Sequence, residues 1–127
     1  MLKKFSKAIL VIALGVHLSG CVLLLGAAAG ASGVVWAKGR LRQELKQSLV
    51  QTYTATISGL KKMDLPIILE RKDALTGRIE SKFADGTNVW IDIEHLAENS
   101  SRLTIRVGVL GDHERSDKIM ESVRSYL

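Results

Sequence analysis

The sequence predicts an α+β fold for residues 40–127, with two helices packed on one face of an antiparallel sheet. At both ends of this region, apolar residues recur every three or four positions, which is typical of amphipathic helices. Between them, four segments alternate apolar and polar residues, which is typical of an antiparallel sheet with one buried face. The predicted architecture is therefore a two-layer sandwich of a long helix, a four-stranded meander and a closing helix.

The first predicted helix covers residues 40–63. One stripe of it would contain Leu41, Leu45, Leu49, Tyr53, Ile57, Leu60 and Met63. Pro66 ends it, because proline disfavours the helical conformation in the residue before it and has no N–H for the helix ladder.

Four strands are predicted at residues 67–71, 76–83, 88–96 and 103–109. Asp85-Gly86 between the second and third predicts a hairpin, and residues 97–102 read as a polar loop. Alternation places Trp90 and Arg106 on the outer face and assigns these residues to the core: Val89, Ile91, Ile93, Leu103, Ile105, Val107 and Val109.

The closing helix is predicted to begin after Asp112, a good N-cap residue, and to run to about Tyr126. Its inward-facing residues would be Ile119, Met120, Val123 and Leu127. Residues 40–127 are enough for one modest core.

The N-terminal part of the 127-residue chain is quite different. Lys3, Lys4 and Lys7 are followed by no charged residue until Lys38, and residues 8–16 form a short apolar core. This layout is that of a secretory signal, predicted to cover residues 1–20. The net charge of +5 is therefore partly a property of the signal, and it does not predict nucleic-acid binding.

Leu18-Ser19-Gly20-Cys21 follows the apolar core and resembles the lipobox of bacterial lipoproteins. The resemblance implies that Cys21 is diacylated on its thiol, becomes the first mature residue and anchors the chain to membrane lipid in the cell envelope. Val22 stands where lipoproteins of the inner membrane often have Asp, which favours the periplasmic face of the outer membrane. An alternative is an uncleaved anchor, because residues 8–37 are uncharged and exceed the roughly 20 residues of a spanning helix.

Residues 21–39 are predicted to be the lipid anchor and an apolar, Gly/Ala-rich tether. Gly26-x-x-x-Gly30 leaves open a packing helix instead. The whole layout resembles a family of small bacterial lipoproteins known only as a domain of unknown function. The resemblance lies in the Gly/Ala-rich stretch, Lys38-Gly39-Arg40-Leu41, Asp85-Gly86 and Arg106-Val107-Gly108, and it implies no catalytic residues.

No catalytic, cofactor or metal site is predicted. His95 and His113 have no neighbouring Cys and lack metal-ligand spacing, and the single cysteine is Cys21. Asp92 and Glu94 share one strand face, where basic residues offer ordinary ion-pair partners: Arg78, Lys82 and Arg106.

The expected function is a non-enzymatic structural or binding domain with an envelope protein or polymer as its partner. The alternative is an envelope enzyme whose site is unrecognised. Trp90 lies among charges on the outer face, where it would either contact a partner or pack against Arg78 or Arg106.

Overall fold

Six strands and two helices follow one another in residues 33–127, the part of the chain that the computed structural model describes. In chain order they are β1 (Val34–Ala37), β2 (Arg40–Leu45), α1 (Leu49–Lys62), β3 (Leu69–Lys72), β4 (Thr76–Lys82), β5 (Asn88–Ala97), β6 (Ser100–Val107) and α2 (His113–Arg124). The predicted α+β class is confirmed. The predicted order of helix, four strands and helix is wrong, because two strands precede the first helix.

The six strands form one sheet in the order β1-β2-β6-β5-β4-β3, and all neighbours are antiparallel. Strands β3 to β6 form the predicted meander. The β1–β2 hairpin then extends the sheet beyond β6, with Leu41 opposite Ile105. Both helices pack on the same face of the sheet and leave the other face open.

Residues 40–45 correct the prediction of a continuous helix over residues 40–63. Leu41 and Leu45 are buried as predicted, but they are buried from a strand. A spacing of four residues returns to the same face in both a strand and a helix, so these leucines fit both periods. The helix begins only at Leu49, after Ser48, whose side chain and that of Gln51 form a capping box.

Strand β1 lies inside the segment predicted to be a tether. Its residue Trp36 is paired with Leu41, and the compact unit of the fold runs from Val34 to Leu127. The predicted signal, the lipobox residues Leu18, Ser19, Gly20 and Cys21, and most of the tether lie outside the described residues.

The core lies between the helices and the sheet. Alternation predicted the inner face of β5 and β6 correctly, since all six of these residues are fully buried: Val89, Ile91, Ile93, Leu103, Ile105 and Val107. Ile119, Met120 and Val123 are buried from α2, as predicted. Two inward assignments are wrong: β6 ends at Val107, which leaves Val109 73% exposed, and α2 ends at Arg124, which leaves Leu127 39% exposed.

Local polar contacts confirm two predicted boundaries and correct a third. Asp112 caps α2 by accepting a hydrogen bond from the N–H of Arg115, and Asp85-Gly86 forms the β4–β5 turn. Residues 97–102 are not a loop, since β5 and β6 leave only a tight turn between them. Ser101 is instead buried in β6, where its hydroxyl lies 2.7 Å from the Thr52 hydroxyl of α1.

Candidate binding face

The sheet surface that carries no helix is the open face, and it is rich in arginine. Because side chains alternate along each strand, the pairing register decides which residues belong to it. Its cations outnumber its carboxylates. The cations are Arg40, Arg42, Arg71, Arg78, Lys82, Arg102 and Arg106, and the carboxylates are Glu44, Glu80, Asp92 and Glu94.

Two arginines hold all four of these carboxylates. Arg102 lies 2.9 Å from Glu44 and 3.2 Å from Glu94, and this pairing raises the pKa of Arg102. Arg78 lies 3.4 Å from Glu80 and 3.7 Å from Asp92. The predicted cross-strand neutralisation of Asp92 and Glu94 therefore occurs, with Arg102 as the partner that the sequence did not indicate.

Three further arginines of the open face, Arg40, Arg42 and Arg71, have no acidic partner among residues 33–127. With Arg78 they line a depression of about 510 Å³. Thr104 lies at its floor, opposite both Arg42 and Asp92 in the pairing register. Asp73, Asp92 and Glu94 also line the depression. The short Thr104 side chain beside the long guanidinium groups of Arg40 and Arg42 leaves room for an oxyanion with charged donors in reach.

Arg71 lies directly opposite Arg78 across the β3–β4 pair. Like charges in this relation destabilise a sheet, since each side chain lies in the field of the other. Glu80 and Asp92 offset the charge of Arg78. The charge of Arg71 remains uncompensated within the described residues, so an external anion would relieve the repulsion.

Trp90 lies on the open face as alternation predicted, and it is half-buried. Arg106 is its register partner on β6, with its guanidinium 5.9 Å from the Trp90 ring centroid. This is the packing that the sequence offered as one interpretation of Trp90. The two side chains also border a second depression of about 290 Å³, so a partner contact by Trp90 stays a prediction.

The shifted pKa values of Asp85, Asp73 and Tyr53 have local causes. Asp85 has a pKa well below its usual range because Arg115 donates to it at 2.7 Å and the N–H of Thr87 donates at 3.0 Å. The pKa of Asp73 is lowered by hydrogen bonds from the N–H groups of Leu75 and Thr76. Burial and the nearby carboxylate of Glu70 raise the pKa of Tyr53.

Asp85 and Asp73 lie in two turns, and Tyr53 lies on α1, so none of these three groups lies on a strand of the open face. Within residues 33–127, no three His, Cys, Asp or Glu side chains form a metal-binding group. His95 and His113 are exposed, and His113 contacts Asp117 at 3.2 Å and the Trp36 ring at 4.5 Å between centroids.

Sequence reasoning missed Arg40 and Arg42 as residues of the open face. Both belong to the helix that the sequence predicts over residues 40–63. The alternation Arg40-Leu41-Arg42-Gln43-Glu44-Leu45 is the signal that would have placed them on a strand beside Arg102 and Arg106.

Fold and face together define a small α+β domain whose six-stranded sheet is covered by helices on one side and carries an arginine-rich open face on the other. The chain matches the family described as "Protein of unknown function (DUF3568)" over residues 4–125, and it belongs to that family. The resemblance to a family of unknown function is thereby confirmed. No curated protein matches the chain. Neither helix of the described region is both long enough and apolar enough to cross a membrane.

Proposed function

We propose that this chain is a lipid-anchored protein of the bacterial cell envelope whose folded domain is a non-enzymatic binding module. The domain binds an acidic envelope protein or polymer through its open face. The outer membrane is the favoured location, with the domain on the periplasmic side.

The anchor is supported by the sequence. A basic start, a short apolar core and Leu18-Ser19-Gly20-Cys21 occur in the order that lipoprotein signals have. In such a signal the cysteine thiol, here that of Cys21, is the group that is acylated.

The observation that carries the binding proposal is the set of unpaired arginines that line the depression of about 510 Å³. Arg40, Arg42 and Arg71 keep their charges free while two neighbouring arginines hold the acidic residues of the face. Folding alone gains little from three unpaired guanidinium groups on a sheet, whereas an acidic ligand gains charge-assisted hydrogen bonds. The depression is lined mainly by charged and polar side chains, whereas small-ligand pockets are mostly apolar, so an acidic polymer or protein surface is the favoured occupant.

Cys21→Ser is expected to abolish acylation and to leave an unprocessed precursor, because the serine hydroxyl cannot replace the thiol as acceptor. Metabolic labelling with palmitate and intact-mass measurement of the membrane fraction test this. The matched control is Ser19→Ala, a small-residue change that keeps the thiol. A wild-type chain that begins with unmodified Met1 would contradict the lipid anchor and favour the uncleaved helix.

Arg42→Glu is expected to weaken binding of an acidic polymer several-fold, since an exposed ion pair contributes about 0.2–1 kcal/mol and the reversal adds repulsion. The measurement is fluorescence anisotropy with labelled polyglutamate at fixed, low salt, followed by a salt titration. Arg71→Glu should have a similar effect. The effect should diminish as salt screens the charges.

Lys61→Glu is the matched control, because Lys61 is an exposed cation at the end of α1 on the helix side of the domain. Equal weakening by Lys61→Glu and Arg42→Glu would mean that only net charge matters, and the open face would lose its assigned role.

Trp90→Ala separates the two interpretations of that residue. If Trp90 packs against Arg106, the substitution should lower the free energy of unfolding and leave binding unchanged. If Trp90 contacts a partner, the substitution should weaken binding and leave the free energy of unfolding unchanged.

A further inference from the structure

A loop at one end of the sheet exposes two large apolar side chains. Val109 is 73% exposed and Leu110 is 93% exposed, in the connection between β6 and α2. We call residues 108–111 the apolar tip. Leu110 has the largest exposed fraction among the large hydrophobic residues that the structure describes. Single exposed apolar residues are ordinary, whereas contiguous apolar patches with a polar rim mark contact surfaces; two adjacent exposed side chains at one turn form a small patch of this kind.

The backbone holds the apolar tip in place. Gly108 and Gly111 have φ values of +72° and +84°, so each end of the tip turns sharply in a conformation suited to glycine. Gly111 packs directly on Gly39 of the β1–β2 turn, and Asp112 caps the following helix. Arg106 donates from Nη2 to the carbonyl oxygen of Val109. The exposed side chains are therefore presented on a fixed turn.

Cations surround the apolar tip. Val109 borders the second depression with Arg40 and Arg106, and Lys38 lies with the same two arginines around a third depression of about 610 Å³. Lys38 belongs to the β1–β2 turn on which the tip packs. The acidic residues Asp85 and Asp112 at this end both face Arg115, at 2.7 Å and 3.5 Å, and Glu114 in the first turn of α2 faces Lys118 at 3.1 Å. The rim of the tip is therefore positively charged.

We propose that the apolar tip inserts into the headgroup layer of an anionic phospholipid bilayer, with Lys38, Arg40 and Arg106 on the lipid phosphates. An apolar point with a basic rim is the pattern of interfacial membrane binding, in which burial of apolar area and attraction to anionic lipid add. The contact rests on the membrane location in the proposed function and goes beyond it, since it acts in addition to the N-terminal anchor. It would hold the open face at a fixed orientation to the membrane.

A bilayer fits this end of the domain better than another protein does. A protein partner would need an apolar area that extends beyond two side chains, whereas lipid needs only a small insertion plus dispersed phosphates. The described fold begins at Val34, and strand β1 leads from there to Lys38 of the basic rim. The basic rim is therefore close in sequence to the N-terminal segment, with one strand between them.

The test uses the full chain reconstituted into vesicles, with a polarity-sensitive thiol dye on Leu110→Cys. The matched control is Leu75→Cys, because Leu75 is 64% exposed and lies in the β3–β4 connection at the other end of the sheet. A chain without an added cysteine gives the background from Cys21. Vesicles of phosphatidylcholine with phosphatidylglycerol are compared with vesicles of phosphatidylcholine alone, and acrylamide serves as a neutral quencher.

In the anionic vesicles, the dye at position 110 should shift its emission to the blue and lose most of its quenching, while the dye at position 75 should remain fully quenched. Lys38→Glu should restore quenching at position 110, and Lys61→Glu should not. Equal quenching at positions 110 and 75 would overturn the proposal. Shielding that persists in neutral vesicles and rises with protein density would assign the tip to a second copy of the chain and also overturn it.

Flotation of the same samples separates this proposal from the anchor. A chain that floats with the vesicles but is fully quenched at position 110 keeps its anchor and lacks the second contact. A chain that does not float at all contradicts both.

Discussion

Ile91→Ala is expected to lower the free energy of unfolding by about 2–5 kcal/mol, as is usual when a large buried aliphatic side chain is truncated. Ile91 is fully buried, in the middle of the sheet, and it pairs with Ile79 on one side and Ile105 on the other. Its removal therefore leaves a cavity between two neighbouring strands and the helix layer. Urea unfolding of residues 34–127, followed by circular dichroism, measures the change.

Arg42→Ala is the matched control from the open face. Arg42 is exposed and has no ion pair within the described part of the chain, so its truncation should cost well under about 1 kcal/mol. Ile105→Ala should behave like Ile91→Ala. If Arg42→Ala and Ile91→Ala were equally destabilising, the two faces of the sheet would be wrongly assigned, and the binding proposal would fail with them.

The central strands could be predicted because their alternation is unambiguous. Residues 88–93 and 103–107 place every second residue in the core, and no helical period fits them, so both the strands and their faces follow from the pattern. The hairpin at Asp85-Gly86 and the cap at Asp112 rest on equally local chemistry, a turn and a side chain that accepts from nearby N–H groups.

The β1–β2 hairpin could not be predicted with the same ease. Leu41, Leu45 and Leu49 are spaced by four residues, a spacing that fits both a strand and a helix. Because a helix does begin at Leu49, its apolar stripe continues in register through Leu45 and Leu41, and the predicted helix therefore starts too early. Strand β2 is stabilised by its pairing with β6, which follows it by about sixty residues of sequence, a distance that no local pattern records. Val34 to Ala37 were equally obscure, because an apolar run beside a Gly/Ala-rich stretch also fits a membrane tether.

The candidate site depends on that missed hairpin. Arg40 and Arg42 reach the open face only because β2 joins the sheet, and the apolar tip is held in place only because Gly39 lies under Gly111. Trp90 and Arg106, which alternation did predict on this face, pack against each other. Two of the three unpaired arginines, Arg40 and Arg42, come from the strand that the sequence concealed, and Arg71 comes from the predicted strand β3.

Gly111→Ala is expected to be about as damaging as a core truncation, at roughly 2–5 kcal/mol, because two costs add. Gly111 has φ +84°, where a residue with a Cβ is strained by about 1–2 kcal/mol. Its Cβ would also come within 2.5 Å of the Gly39 carbonyl oxygen, and the backbone of the β1–β2 turn would have to move. Overpacking of this kind costs about 1–3 kcal/mol.

Two other glycines separate the costs. Gly86 has φ +91° with no atom within 4 Å of an added Cβ, so Gly86→Ala measures conformational strain alone. The Cβ in Gly59→Ala would lie 2.9 Å from the Val123 backbone nitrogen of α2, so this change measures steric overlap, lessened by the better helix propensity of alanine. In urea unfolding of residues 34–127, Gly111→Ala should cost more than Gly86→Ala by the amount that moving the β1–β2 turn requires. Equal costs for Gly111→Ala and Gly86→Ala would show that the hairpin yields freely, and the apolar tip would then have no fixed base from which to enter a membrane.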